Sequence, residues 1–151
     1  MFDSYFMLIF SEAVVDQLET PYKPQIRSAF DACWSFLENK DRGGEELYAL
    51  LDDETDDGGI FIYMQLDENE ANIPSWDNIS YAIGSTAKEA YSFENKAALP
   101  SPLEKIDGSL LEIFIENLKE INFNFYDHVQ DIKDFLARGK SPSKKEALKE
   151  L

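Results

Sequence analysis

Residues 72–95 read NIPSWDNISYAIGSTAKEAYSFEN, which is the clearest long helical pattern in the chain. Pro74 suits the first turn of a helix, where a backbone N–H would lack a helical partner in any case. The small residues Gly84, Ser85 and Ala87 predict that a neighbouring helix packs closely against this one. Its apolar face has residues spaced by three or four: Trp76, Ile79, Ile83, Ala87 and Ala90. The pattern predicts a long helix in the core.

Three helices are predicted on the N-terminal side of this segment. They cover about residues 4–18, 24–38 and 44–51, and prolines 21 and 24 separate the first two. The apolar residues of the first two recur at helical spacing: Phe6, Phe10, Val14 and Leu18, then Ile26, Phe30, Cys33 and Leu37. Each helix therefore has an apolar face that can pack on residues 72–95.

The run IFIYMQL at residues 60–66 is ambiguous between helix and strand. Its β-branched and aromatic content favours a strand. No second segment of similar quality is available to pair with it, and a lone strand leaves its backbone groups without partners. We therefore predict a short buried helix, with a short strand as the alternative.

Two more helices and a small tail helix are predicted at the C-terminal end. The two helices cover about residues 111–121 and 125–136, and Gly139 ends the second. Ser141 and Pro142 open the basic tail helix. The chain is thus predicted to be a single all-α domain over residues 1–151, a bundle of about six or seven helices.

The overall composition is that of a folded cytoplasmic protein. Of the 151 residues, 44% are apolar and 13% aromatic, which is unlike a disordered acidic tail. The single cysteine, Cys33, cannot form an internal disulfide, and we expect it to be a packing residue in a reducing compartment. The uncharged run at residues 4–11 is too short to cross a bilayer, which takes about 20 apolar residues. We expect no membrane partner.

The charge of the chain is strongly negative and uneven. Thirty acidic residues against 14 basic ones give a formal charge of −16. Between Asp41 and Glu70 there are 11 acids and one base, a net charge of −10. Nucleic acid and anionic membranes repel such a surface, so we expect neither as a direct partner. A basic protein remains as a partner, including one whose nucleic-acid site the acidic surface imitates.

The acidic turn LDDETDDGG at residues 51–59 resembles part of a calcium-binding loop. With Asp53 at the first ligand position, Asp57 and Gly58 match the fifth and sixth. The twelfth position should hold a bidentate glutamate, and Met64 stands there instead. We therefore predict no metal site and no cofactor, and interpret the Asp and Gly residues as a turn that caps the next helix.

No catalytic motif is present in the sequence. It contains no HExxH, no glycine-rich phosphate loop and no GxSxG motif. The only histidine, His128, lies beside a helical face, where a packing role is far commoner than catalysis. An enzyme is therefore disfavoured.

An ordered set of short motifs resembles a known family. They are WSFLENK (34–40), GEELYALLDDE (44–54), GGIFIYMQLDENE (58–70), WxxISYAI (76–83), AYSFEN (90–95) and LPSPLEKID (99–107). In this order they resemble the sixth family of bacterial immunity proteins of polymorphic toxin systems, small all-α proteins common in Firmicutes. The resemblance covers about residues 34–107, and the family has no catalytic motif to transfer.

The resemblance implies a non-catalytic protein that takes part in contact-dependent competition between bacteria. It would bind a cognate secreted toxin and neutralise it by occluding the toxin's active site, as in toxin–antitoxin pairs. Many such toxins are nucleases with basic clefts, which an acidic inhibitor suits. The oligomeric state is not decided by the sequence. The predicted toxin-contacting residues are Asp52, Asp53, Glu54, Asp56 and Asp57, extended by Asp67, Glu68 and Glu70. Trp76 lies on a helical apolar face, where core packing is the default, and it is the candidate anchor if it is partly exposed.

Two alternative functions remain open from the sequence. The same acidic turn could serve a carboxylate-based or metal-dependent enzyme. The acidic surface could also belong to an adaptor that imitates nucleic acid and binds a basic host protein. Metal-dependent stability would favour the first alternative, and a toxin gene immediately upstream would favour immunity over the second.

Overall fold

The computed structural model describes residues 2–53, 58–139 and 141–151, and in these ranges the regular structure is helical. The helices in chain order are α1 (Phe2–Gln17), α2 (Lys23–Asn39), α3 (Gly44–Ala49), α4 (Ile60–Leu66), α5 (Ile73–Phe93), α6 (Ser101–Glu104), α7 (Leu110–Ile121), α8 (Phe123–Tyr126), α9 (Val129–Ala137) and α10 (Lys144–Leu148). Within the described ranges, seven of them have six residues or more, and α6, α8 and α10 are shorter. The predicted all-α fold is confirmed.

The central element is α5, as the pattern of residues 72–95 predicts. It contacts α1, α2, α3, α4, α6 and α7. Thirteen of its 21 residues are buried, so neighbours cover most of its circumference and not one face alone. The predicted close approach occurs at Ser85, whose hydroxyl lies 2.9 Å from that of Ser4 in α1. At Gly84 an added Cβ would lie 3.2 Å from a methyl group of Ile106, so only a small residue fits.

Helix α1 is buried on all sides and not on a single face. Every residue from Ser4 to Glu12 is buried, because α2, α5, α7, α9 and α10 surround this helix. A helix that is apolar all round is expected to lie inside a protein. In the ranges that the structure describes, no helix is long and apolar enough to cross a membrane.

Residues 60–66 form a helix, α4, which confirms the preferred interpretation and removes the strand alternative. Its first two N–H groups have partners at the end of α3: Ile60 donates to the Leu50 carbonyl at 3.0 Å, and Phe61 to the Leu51 carbonyl at 2.9 Å. The expectation that this helix is buried holds for one side only. Ile60 and Tyr63 are buried, whereas Ile62 and Leu66 are exposed.

The C-terminal helices differ from their predicted bounds in two places. The predicted helix at 125–136 is divided at Asp127 and His128 into α8, which begins at Phe123 after the Asn122 cap, and α9, which begins at Val129. The tail helix begins at Lys144, and its N-cap is Ser143, which forms a capping box with Glu146, and not Ser141 with Pro142. Gly139 follows the end of α9 with a φ of 75°, as expected of a helix-ending glycine.

Candidate partner-binding surface around α4

The turn before α4 is built on two glycines in conformations that other residues rarely adopt. Gly58 has a φ of 88° and Gly59 a φ of 74°. A Cβ on Gly58 would lie 2.0 Å from Cγ1 of Ile62, and one on Gly59 would lie 2.7 Å from the carbonyl oxygen of Leu50. These glycines let the chain reverse tightly against the end of α3, so the start of α4 is fixed by the backbone.

The acidic turn lies at this end of α4. The Asp53 N–H donates to the Gly58 carbonyl at 3.3 Å. Asp52 is exposed and accepts a hydrogen bond from the Tyr48 hydroxyl at 3.3 Å, and Asp53 is half-buried. The predicted contact residues in between lie outside the described residues: Glu54, Asp56 and Asp57.

Asp67 follows the other end of α4 and fastens it to α5. Its carboxylate accepts from the indole N–H of Trp76 at 2.8 Å, the side-chain amide of Asn72 at 2.9 Å and the backbone N–H of Asn69 at 2.9 Å. These three hydrogen bonds, led by the one from Trp76, lower the pKa of Asp67. Asp67 therefore holds the turn between α4 and α5 in place.

Trp76 is only 2% exposed, which agrees with core packing, the default for this tryptophan, and not with a partly exposed anchor. The indole lies on the inward face of α5, and its N–H is bonded to Asp67. A buried tryptophan whose N–H has a partner is a core residue that supports the surface above it. Trp76 does not reach a partner in this conformation.

Glu68 and Glu70 are exposed in the same turn. Asn69 between them caps a single 3₁₀ turn, Glu70–Asn72, by accepting from the Ala71 N–H at 3.1 Å. The seven residues of α4 span about 10 Å at 1.5 Å per residue. The structure therefore places Asp52 and Asp53 at one end of a short helix, and Asp67, Glu68 and Glu70 at the other.

Exposed apolar side chains lie between and beside these acids, and the sequence prediction missed them. Ile62 is 37% exposed and Leu66 is 58% exposed, one helical turn apart on α4. Ile73, at the first position of α5, is 54% exposed. We call the exposed set Asp52, Ile62, Leu66, Glu68, Glu70 and Ile73 the α4 surface. The available signal was that IFIYMQL has apolar residues around its whole circumference, so one face had to meet solvent unless neighbours covered it.

Two clefts flank α4. One, of about 340 Å³, lies between α4 and the start of α2, and its lining includes Ser28, Leu50, Asp53 and Tyr63. The other, of about 180 Å³, lies between α4, α5 and α6, and its lining is mainly apolar, including Phe61 and Ile106. Clefts beside an exposed helix can accept side chains of another protein.

Groups with possible chemistry elsewhere do not converge on this surface. Burial raises the pKa of the Cys33 thiol to about 12, so at neutral pH the cysteine packs as a small apolar side chain, as predicted. Among the residues that the structure describes, no three His, Cys, Asp or Glu side chains lie together in a group that could hold a metal ion. The arrangement around α4 is suited to protein contact.

Comparison with known proteins identifies the family. The model of the family described as immunity protein Imm6 matches residues 3–121. The match is wider than the motifs at 34–107, since it also includes α1, the first part of α2 and α7, whose sequences show only generic amphipathic patterns. No curated protein and no solved structure matches the chain. Because the matched residues make up most of the chain, the protein belongs to the Imm6 family of immunity proteins.

Proposed function

We propose that this protein acts in the cytoplasm by binding one molecule of a cognate secreted toxin and covering the toxin's active site, without catalysing a reaction itself. The observation that carries the proposal is the immunity-family match over residues 3–121. A protein that protects its producer against a toxin needs an accessible surface that the toxin recognises. The α4 surface supports such recognition.

The charge around α4 supports a basic toxin. Residues 43–87 contain 11 acidic residues and no lysine or arginine. Asp52, Glu68 and Glu70 are exposed within this segment. Complementary charge accelerates association and favours the cognate partner over others. A nuclease is one class of toxin that fits, because a cleft that holds phosphates is basic. The predicted contact residues Asp52, Asp53, Glu54, Asp56, Asp57, Asp67, Glu68 and Glu70 remain part of this proposal.

The proposal is tested by producing the protein together with the toxin encoded by the neighbouring gene. We expect the wild-type protein to restore growth, to form a one-to-one complex, and to associate with the toxin at a rate that falls steeply with added salt. Continued growth arrest, together with the absence of a complex between the purified proteins, would contradict the proposal.

A matched pair of triple variants tests the position of the charge. Neutralising the exposed acids of the α4 surface, in Asp52→Asn/Glu68→Gln/Glu70→Gln, should slow association about tenfold or more at low salt. The control Glu112→Gln/Glu120→Gln/Asp131→Asn changes the net charge equally at exposed positions on α7 and α9. Equal slowing in both variants would mean that net charge, and not the α4 surface, attracts the toxin.

A further inference from the structure

The outward face of α4 is an apolar surface that the described part of the chain covers only in part: Ile62 packs on Gly58 and is still 37% exposed, and Leu66 is 58% exposed. Ile62 and Leu66 lie one turn apart and are both exposed, while Ile60 and Tyr63 face the core. Most amphipathic surface helices have polar residues on the outward side. Here the outward positions of a seven-residue helix include an isoleucine and a leucine, so α4 presents apolar groups to solvent although it is already packed.

This face is held in one position before any partner arrives. The two N–H groups at the start of α4 are bonded to carbonyls at the end of α3, and Asp67 fastens the other end to Trp76 and Asn72. On the inner side, the sulfur of Met64 lies 3.0 Å from the Ser80 hydroxyl, which is also 2.9 Å from the Trp76 carbonyl. A preorganised surface loses little conformational entropy on binding, so more of its contact free energy contributes to affinity.

The charge around the outward face of α4 indicates which kind of molecule binds there. Glu68 lies two residues after Leu66, Glu70 follows, and Asp52 lies before the start of α4, all exposed. A symmetric dimer would bring the same patch of two copies together, and each copy carries 11 acids and no bases in residues 43–87. Repulsion between these segments disfavours a second copy. A protein with apolar side chains surrounded by lysine and arginine satisfies both features of the surface.

We propose that Ile62 and Leu66 form the apolar centre of the toxin-binding surface, that the exposed carboxylates form its rim, and that the toxin presents apolar side chains within a basic border. This inference rests on the proposed function, since it names the part of the protein that contacts the toxin. The apolar centre holds the complex together and the acidic rim accelerates its formation, because fully desolvated contacts dominate affinity and rim charges dominate association.

The test uses the full-length protein and a catalytically inactivated form of the toxin domain encoded by the neighbouring gene. The double variant Ile62→Ala/Leu66→Ala should weaken binding about tenfold or more, through faster dissociation and with little change in association rate. Leu66→Asp should also weaken binding, even though it adds a negative charge that attracts a basic toxin. The matched control is Ile113→Ala, which removes an exposed isoleucine, 47% accessible, from α7. Melting temperatures establish that the variants are folded.

The outcomes distinguish failure of the proposed function from failure of the inference about Ile62 and Leu66. Wild-type protein that fails to bind the toxin overturns the proposed function, and this inference with it. Wild-type binding that is unchanged in both α4 variants overturns the inference alone. The inference is also overturned if Ile113→Ala weakens binding as much as the double variant does. A wild-type protein that dimerises without toxin, and becomes monomeric in the α4 variants, would show that a second copy covers the face.

Discussion

The α4 surface and the C-terminal segment, residues 122–151, differ in how they use their charges. At α4, Asp52, Glu68 and Glu70 are exposed in a segment that has no basic residue. In the C-terminal segment, Lys144 lies 3.3 Å from Glu12 and 3.2 Å from Asp31, and its N–H donates to Glu38 at 2.9 Å. Lys144 thus compensates acids of α1 and α2 inside the molecule, whereas the sequence around the exposed acids at α4 supplies no lysine or arginine.

The two regions also differ in their relation to the family. The family match ends at residue 121, where α7 ends, so α8, α9 and α10 lie beyond it. Even so, α9 and α10 pack on α1, and Lys144 approaches the buried carboxylate of Glu12. We infer that the segment after residue 121 contributes to stability, while the α4 surface, inside the family match, is available for binding. Four predictions test this difference.

The largest effect on stability is expected from alanine substitutions at two glycines, one in each region, that have nearly the same φ angle. Gly59 has a φ of 74° and Gly139 a φ of 75°. Alanine at Gly139 meets nothing within 4 Å and should cost about 1 kcal/mol of unfolding free energy from backbone strain alone. Alanine at Gly59 also collides with the Leu50 carbonyl and should cost about 3 kcal/mol. Urea denaturation measures both, and equal losses would contradict the tight docking of α4 on α3.

Removing the cation of the tail should have the next largest effect. Glu12 is buried and is bonded by the Trp34 indole N–H at 3.1 Å, with Arg27 at 3.6 Å and Lys144 at 3.3 Å. Lys144→Met leaves this carboxylate with less compensation and should lower the unfolding free energy by about 1.5 kcal/mol. Toxin binding should not change.

The control for this variant is Lys145→Met, at an exposed position on the same helix. It should change the unfolding free energy by less than about 0.5 kcal/mol. A loss of toxin binding in Lys144→Met, without loss of stability, would mean that the tail contributes to recognition after all.

A smaller effect is expected at Asp67, the acid near α4 that is used inside the molecule. Asp67→Ala leaves the buried Trp76 N–H without its partner and should cost about 1 kcal/mol at neutral pH. Because hydrogen bonds lower the pKa of Asp67 in the folded state, its contribution is fully present above the unfolded value, about 4. It is lost as the pH falls through the lower folded value.

Stability measured against pH checks this sign. The difference in unfolding free energy between wild type and Asp67→Ala should be constant above about pH 5 and should shrink in stronger acid. Glu68→Gln removes a charge from the same turn without removing the bond to Trp76, and should leave stability at neutral pH unchanged. A difference between wild type and Asp67→Ala that grows in acid would contradict the assigned hydrogen bonds.

The smallest effect on stability is expected from adding divalent metal ions. Because Met64 stands where a calcium loop would have its closing glutamate, millimolar calcium or magnesium should not raise the melting temperature of the wild-type protein. A clear rise that disappears in Asp53→Asn would favour a metal-dependent role for the acidic turn, and would mean that its charge is not reserved for a protein.

The fold follows from the sequence where the periodicity is long, as in α5 and α2. Short elements depend on neighbours that periodicity does not specify. Residues 60–66 are apolar at every position except Gln65, and the docking of α4 on the end of α3 and on α5 decides that Ile62 and Leu66 remain exposed. Similarly, the spacing of apolar residues from Phe125 to Leu136 continues across Asp127 and His128, where the structure ends α8 and starts α9.

The predicted binding residues were only partly accessible to sequence reasoning. Asp52, Glu68 and Glu70 were predicted from charge and are exposed, but charge alone could not distinguish Asp67, whose bonds depend on how α4 meets α5. Trp76 shares a helical face with Ile79 and Ile83, so its burial was available from the spacing. For the apolar residues of the α4 surface, the sequence indicated that one face of IFIYMQL would meet solvent unless covered, but not which face.

The burial of both tryptophans gives the molecule two built-in optical reporters. The chain has two tryptophans, and each donates its indole N–H to a carboxylate: Trp34 to Glu12 and Trp76 to Asp67. Glu12 contacts the C-terminal tail, and Asp67 holds the end of α4. Fluorescence from a Trp34→Phe protein would therefore report on the α4 region, and fluorescence from a Trp76→Phe protein on the docking of the tail. Toxin binding and tail release could then be followed separately by the wavelength of emission, without an attached dye.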